Sequence, residues 1–87
     1  MKSFEQLYEQ LLATADARPE NSRTVQLLEA GVHAIGKKIV EEAAEVWMAG
    51  EYQTNEQTAE EISQLIYHLQ VLMVSKGISI SDIEKYL

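Results

Sequence analysis

The 87-residue chain contains no cysteine, which excludes a disulfide staple and a thiolate metal site alike. No apolar run approaches the roughly 20 residues needed to span a bilayer, so no membrane role is expected. The opening Met1-Lys2-Ser3-Phe4-Glu5-Gln6 lacks the apolar stretch of a signal peptide, and the cytoplasm is the expected location. Positive charge is scarce as well. Seven Lys and Arg stand against fourteen Asp and Glu, a net charge of −7, whereas counterion release from a nucleic-acid backbone needs a basic surface. Nucleic acid is therefore not an expected partner. A phosphorylated small molecule remains admissible, provided a metal lies between acid and phosphate.

Without a staple, size becomes the next constraint. A chain this short buries only about 60% of the surface that its unfolded form exposes, and association through helix faces is the usual remedy. A homo-oligomer follows as an expectation. At 46% hydrophobic and 24% charged residues, the composition is that of an ordinary soluble globular protein, read here as one domain over residues 1–87.

Apolar residues recur with the period of a helix. Ser3 with Gln6 reads as a capping box, and Phe4, Leu7, Tyr8, Leu11 and Leu12 follow on one face to about Ala17. Pro19 disfavours helix at Arg18, so a loop is expected to Thr24, then a short turn. A second helix is read from Gly31 to Gly50, with Val32, Ile35, Ile39, Ala43, Val46 and Trp47 as its apolar stripe. Gln53-Thr54-Asn55 supplies the cap of a third. It carries Ile62, Leu65, Ile66, Leu69, Leu72 and Met73 and stops at Gly77. Ser79, or Ser81 paired with Glu84, starts a last short helix through Ile83 to Leu87. Nothing reads as a strand, and the expected fold class is an all-α helical bundle completed by homodimerisation.

The chemistry-bearing residues lie on the two long helices, in Glu41-Glu42-Ala43-Ala44-Glu45 and Glu60-Glu61-Ile62-Ser63-Gln64. At about 100° per residue, Lys38, Glu42 and Glu45 share one stripe, and Gln57, Glu61, Gln64 and His68 share another. Antiparallel packing lets these stripes face each other, where Glu42, Glu45 and Glu61 could hold Mg²⁺, a hard ion that takes oxygen ligands and often bridges to phosphates. The plainer alternative is a solvated acidic face. Lys37 and Lys38 also have two readings, as i, i+4 partners of Glu41 and Glu42 or as grips on a substrate phosphate. His68 reads as a partly buried, hydrogen-bonded histidine rather than a ligand, and His33 as an exposed or capping residue. Tyr67, Trp47 and Tyr52 read as core or interface aromatics, one of which could stack a nucleobase.

Through Lys37-Lys38-Ile39-Val40-Glu41-Glu42-Ala43-Ala44-Glu45-Val46, Glu60-Glu61-Ile62-Ser63-Gln64-Leu65-Ile66 and Tyr67-His68-Leu69-Gln70-Val71-Leu72, the chain closely resembles the phosphoribosyl-ATP pyrophosphatases. Ser22, Thr24, Leu27 and Gly31 match the segment upstream. These enzymes of histidine biosynthesis are similar to MazG and the dimeric dUTPases, all-α nucleotide pyrophosphohydrolases with the pattern ExxE, a spacer, then ExxD. The resemblance places Glu42 and Glu45 in the first motif, beside Glu41, and Glu61 at the opening of the second. The fourth position departs from it, with Gln64 where Asp is usual, a neutral carbonyl still able to meet metal.

What the resemblance implies is Mg²⁺-dependent hydrolysis of phosphoribosyl-ATP, an ATP-derived nucleotide, to phosphoribosyl-AMP and pyrophosphate. Glu42, Glu45, Glu61 and Gln64 would serve the metal, Glu41 the water, and Lys37 and Lys38 the phosphates. Two rivals stand beside it. One is a house-cleaning nucleoside triphosphate pyrophosphatase of the same fold, and the other a non-catalytic helical dimerisation module.

Overall fold

The helices begin where a hydroxyl side chain can accept from an otherwise unpaired amide. Ser3 accepts from Gln6 N, Ser22 from Val25 N, Thr54 from Gln57 N and Ser79 from Asp82 N. In the computed structural model, which describes all 87 residues, these caps open α1 (Phe4–Ala17), α2 (Arg23–Ala30), α4 (Asn55–Lys76) and α5 (Ile80–Glu84). Only α3 (Val32–Tyr52) starts without a side-chain cap. Its first turn is formed by Gly31, whose N–H donates to Leu27 O and whose carbonyl accepts from Ile35 N. Gly31 has φ +97°, a conformation that strains any residue with a Cβ. The junction between α2 and α3 therefore depends on it.

Three sequence expectations are corrected here. Where a short turn was expected from Thr24, the chain forms the eight-residue helix α2. Thr24 and Val25 bury in it and Leu27 and Leu28 pack on the core, a stretch of about two turns, shorter than the roughly 11–18 residues over which an apolar period is read. The capping box of α5 pairs Ser79 with Asp82, not Ser81 with Glu84. Gly77, left-handed at φ +70°, turns the chain out of α4, so that extended Ser79 reaches the first free amide while Ser81 is already helical. That helix also stops at Glu84, and i→i+3 bonds from Tyr86 and Leu87 tighten the last turn in place of α-helix.

The most extensive packing joins α3 and α4, linked through Gln53 and Thr54 alone. They run antiparallel, the start of α3 meeting the end of α4, since Ile35 and Val71 are fully buried in one cluster with Leu11. Leu7 and Leu27, Leu28 and Ile39, Tyr67, Leu72 and Val74 pack around those three. Two side chains lock α1 on: Tyr8 Oη donates to Ile78 O at 2.7 Å and Gln70 Nε2 to Phe4 O at 3.1 Å.

This core is thin. Eight of 87 residues are buried, and the radius of gyration is 13.6 Å against about 12 Å for a compact chain of this length. The apolar stripe of α3 splits accordingly, with Ile35 and Ile39 turned inward while Val32 and Trp47 lie exposed. Trp47 and Tyr52 are 69% and 81% exposed, which rules out a core role for either in a lone protomer. Because Ile35 has no free surface to relax into, Ile35→Ala should cost about 2–5 kcal/mol and Ile35→Val only about 0.5–1.5 in urea denaturation. Equal, small losses for both would show that the core is centred elsewhere.

Candidate metal centre

Glu42 and Glu45 are three residues apart on α3, and the antiparallel register brings Glu61 of α4 beside them. One carboxylate oxygen from each lies within 4.8 Å of the others. Glu42 and Glu61 are half-buried and Glu45 is exposed. Such crowding alters their proton affinity. Burial is the largest cause raising Glu42 above the ordinary carboxyl value of 4.5, followed by the hydrogen bond and then the charge of Glu45, with the Arg23 guanidinium opposing. Glu61 is raised by burial first, then by the charge of Glu45 and its hydrogen bond, and then by Glu42 and Glu60. Both groups resist the charged form that they would adopt around a cation.

A hard divalent ion fits this donor set: three carboxylates, no thiolate, and no free imidazole nitrogen. His68 is fully buried, with Nε2 3.1 Å from Arg23 Nη2 and Nδ1 2.8 Å from Gln64 O. Because a guanidinium only donates, Nε2 must accept and Nδ1–H must donate to the carbonyl. His68 is thus a core histidine with both nitrogens engaged, as its place in the sequence suggested.

Other residues singled out in the sequence fall elsewhere. Glu41 is exposed and paired with Lys38 at 3.2 Å, an i, i+3 contact outside the carboxylate cluster. Lys37 is exposed and makes no ion pair. Gln64 is partly buried one turn beyond Glu61, and its backbone carbonyl holds His68. Tyr67 is not free to stack a base. Its hydroxyl lies 2.6 Å from Thr24 Oγ1, the guanidinium of Arg23 sits over its ring at 5.5 Å, and His68 meets it edge-on at 4.9 Å. Trp47 donates through Nε1 to Glu51 at 2.7 Å.

Arg23 was not singled out in the sequence. At the first position of α2 its local sequence reads as a polar loop, and only the docking of α2 against α4 turns its guanidinium toward Glu42 and His68. The one available signal was its place directly after a capping serine, which fixes where a helix starts but not what it faces.

An all-helical protein with a compact carboxylate centre on its central hairpin is thus defined, and no helix is long and apolar enough to cross a membrane. Residues 4–87 match the model of the phosphoribosyl-ATP pyrophosphohydrolase family, and the chain belongs to that family. Its members are hydrolases of a phosphoanhydride in histidine biosynthesis, and the acidic centre agrees with the divalent metal such phosphohydrolases typically use.

The raised carboxyls give a pH dependence of defined sign. Their folded proton affinity exceeds the unfolded one, so their stabilising contribution is full below 4.5 and is lost as pH rises through the raised values. Without divalent ions, Glu42→Gln should melt above the parent at pH 7.5, and the difference should close as pH falls below 4.5. A difference independent of pH would show that the cluster carries no net repulsion.

Proposed function

We propose that this chain is a Mg²⁺-dependent phosphoribosyl-ATP pyrophosphohydrolase, a single-domain cytoplasmic enzyme that splits the α–β anhydride to release phosphoribosyl-AMP and pyrophosphate. The observation that carries the reading is the convergence of Glu42, Glu45 and Glu61 in a chain whose residues 4–87 match that family. Glu42, Glu45 and Glu61 would hold the ion, with the side-chain carbonyl of Gln64 a fourth donor one turn away on α4. When bound, Mg²⁺ supplies a positive charge that offsets the charge developing on the phosphoryl oxygens.

The chain's own groups do the rest. α3 and α4 hold the carboxylates in place before substrate arrives, so that little reorganisation is needed. Glu41 is assigned to orienting the attacking water and taking its proton. To do so it must leave Lys38, and a pair in which both side chains are about half exposed resists by only ~0.2–1 kcal/mol. Lys38, once released, and Lys37 are assigned to the phosphates.

The functional unit is read as a homodimer. Val40, Trp47 and Met48 of α3 and Ile62 and Leu69 of α4 are exposed apolar side chains on the hairpin that also carries the acids, and a lone protomer leaves them in water. A second copy packed on this hairpin would complete a four-helix bundle and lie close to the centre.

Pyrophosphate release from phosphoribosyl-ATP should require Mg²⁺ and exceed release from ordinary and damaged nucleotides. Glu45→Gln should abolish most of it while light scattering still reports a dimer. Full turnover in that variant with unchanged Mg²⁺ dependence would reject the metal assignment, and a monomer mass at every concentration would reject the dimer. Gln64→Asp adds a carboxylate to the stripe carrying Glu61 and should enlarge the melting-temperature gain on adding Mg²⁺. An identical gain in variant and parent would place residue 64 outside the ligand set.

A further inference from the structure

Charge counting at the proposed centre leaves a deficit. Three carboxylates outweigh one divalent ion, so a polyphosphate drawn to that ion still approaches a negative site. A fixed cation is needed, and the lysines are poorly placed to be it. Both are exposed, Lys38 meets Glu41 outside the carboxylate cluster, and nothing in the fold orients Lys37.

Arg23 differs on each point. The only ion pairs in the molecule are Arg18–Glu29 and Lys38–Glu41, so Arg23 has no carboxylate partner although it lies near enough to Glu42 to act on its charge. Its guanidinium is nevertheless held. Nη2 reaches His68 Nε2 at 3.1 Å, and Cζ lies 5.5 Å from the centre of the Tyr67 ring. Each of those partners is itself fixed, His68 by Gln64 O at 2.8 Å and Tyr67 by Thr24 Oγ1 at 2.6 Å. A planar cation restrained on one edge and one face, exposed to solvent, with its other N–H groups making no bond to the protein, is prepared for an oxyanion.

We propose that Arg23 grips a phosphate of the substrate at the carboxylate centre, with His68 as its positioning residue. The inference rests on the phosphoanhydride reading above and assigns to Arg23 the anchoring role given there to the lysines. The ligand chemistry it requires is a phosphate oxygen pair, met bidentately by the guanidinium while His68 keeps the remaining edge.

Inorganic pyrophosphate titrated calorimetrically in saturating Mg²⁺ tests this without turnover. Arg23→Gln removes the charge and keeps an amide that can donate to His68 Nε2; with its melting temperature measured alongside to show that it folds, it is expected to weaken pyrophosphate binding by about 10- to 100-fold, the weight of a lost charge-assisted hydrogen bond. Arg23→Lys should recover only part of it, because an ammonium has no planar fork. His68→Leu should lose as much as Arg23→Gln, with no further loss in the double variant, and His68→Gln, which restores an acceptor, should recover. The Mg²⁺-induced rise in melting temperature should persist throughout. Unchanged pyrophosphate affinity in Arg23→Gln overturns the proposal. The substrate reading fails separately: a parent that binds pyrophosphate through Arg23 but leaves phosphoribosyl-ATP intact loses the reaction and keeps the anchor.

Discussion

The antiparallel register of α3 against α4 is the constraint on which the rest of this molecule depends. It seals Ile35 and Val71 together at one end of the hairpin and, by the same alignment, sets Glu42 and Glu45 against Glu61 further along. Sliding one helix by a turn would relieve the carboxylates only by opening the core, since close-packed interiors do not deform continuously. With the two-residue connection through Gln53 and Thr54 leaving no slack, burial energy holds like charges together. That is how a fold keeps in readiness a site that its own electrostatics oppose.

His68 carries the same coupling toward the other helices. It is buried as completely as Ile35, yet every polar atom of its ring is used, one bond running along α4 to Gln64 and the other across to Arg23 on α2. Thr24, the next residue on α2, reaches Tyr67, the residue before His68. Two adjacent residues of α2 therefore clasp two adjacent residues of α4. On the buried side of this clasp every polar atom of His68 is satisfied, the condition under which a buried network specifies one arrangement instead of weakening it. The short α2 is thereby part of the acidic centre's surroundings and no mere connector.

Much of this was legible in the sequence wherever a signal was local or repeated. The Ser3–Gln6 box, the Thr54 cap and the stop at Gly77 each act through a few neighbouring residues, and each stands where read. Glu42, Glu45 and Glu61 could be brought together because two long apolar periods fixed both faces to within a fraction of a turn. The losses occur where those conditions fail. The eight residues of α2 make about two turns, less than the window in which a helical period stands out, and Ser79 and Ser81 offered equal caps until the exit from Gly77 chose between them. Trp47 lies on the edge of the α3 stripe, where periodicity does not separate a core from an interface. Arg23 acts only through the docking of one helix on another, which no local pattern encodes.

Within the carboxylate cluster, the exposed residue has the widest reach. Glu45 raises the proton affinity of both Glu42 and Glu61, through its charge and through the hydrogen bond it can share with whichever of them is protonated, so the two half-buried acids have one cause in common beyond burial. Glu42 and Glu61 are therefore linked through the carboxylate that stands between them. A cation held there would compete with protons for the same oxygens, so its affinity would fall as the pH is lowered toward the raised values. The opposing pull of the Arg23 guanidinium on Glu42 works against that proton affinity on the α2 side. Burial raises the proton affinity of Glu42 and the guanidinium of Arg23 brings part of it down, so the short helix that carries Arg23 takes part in setting the charge of the acidic centre.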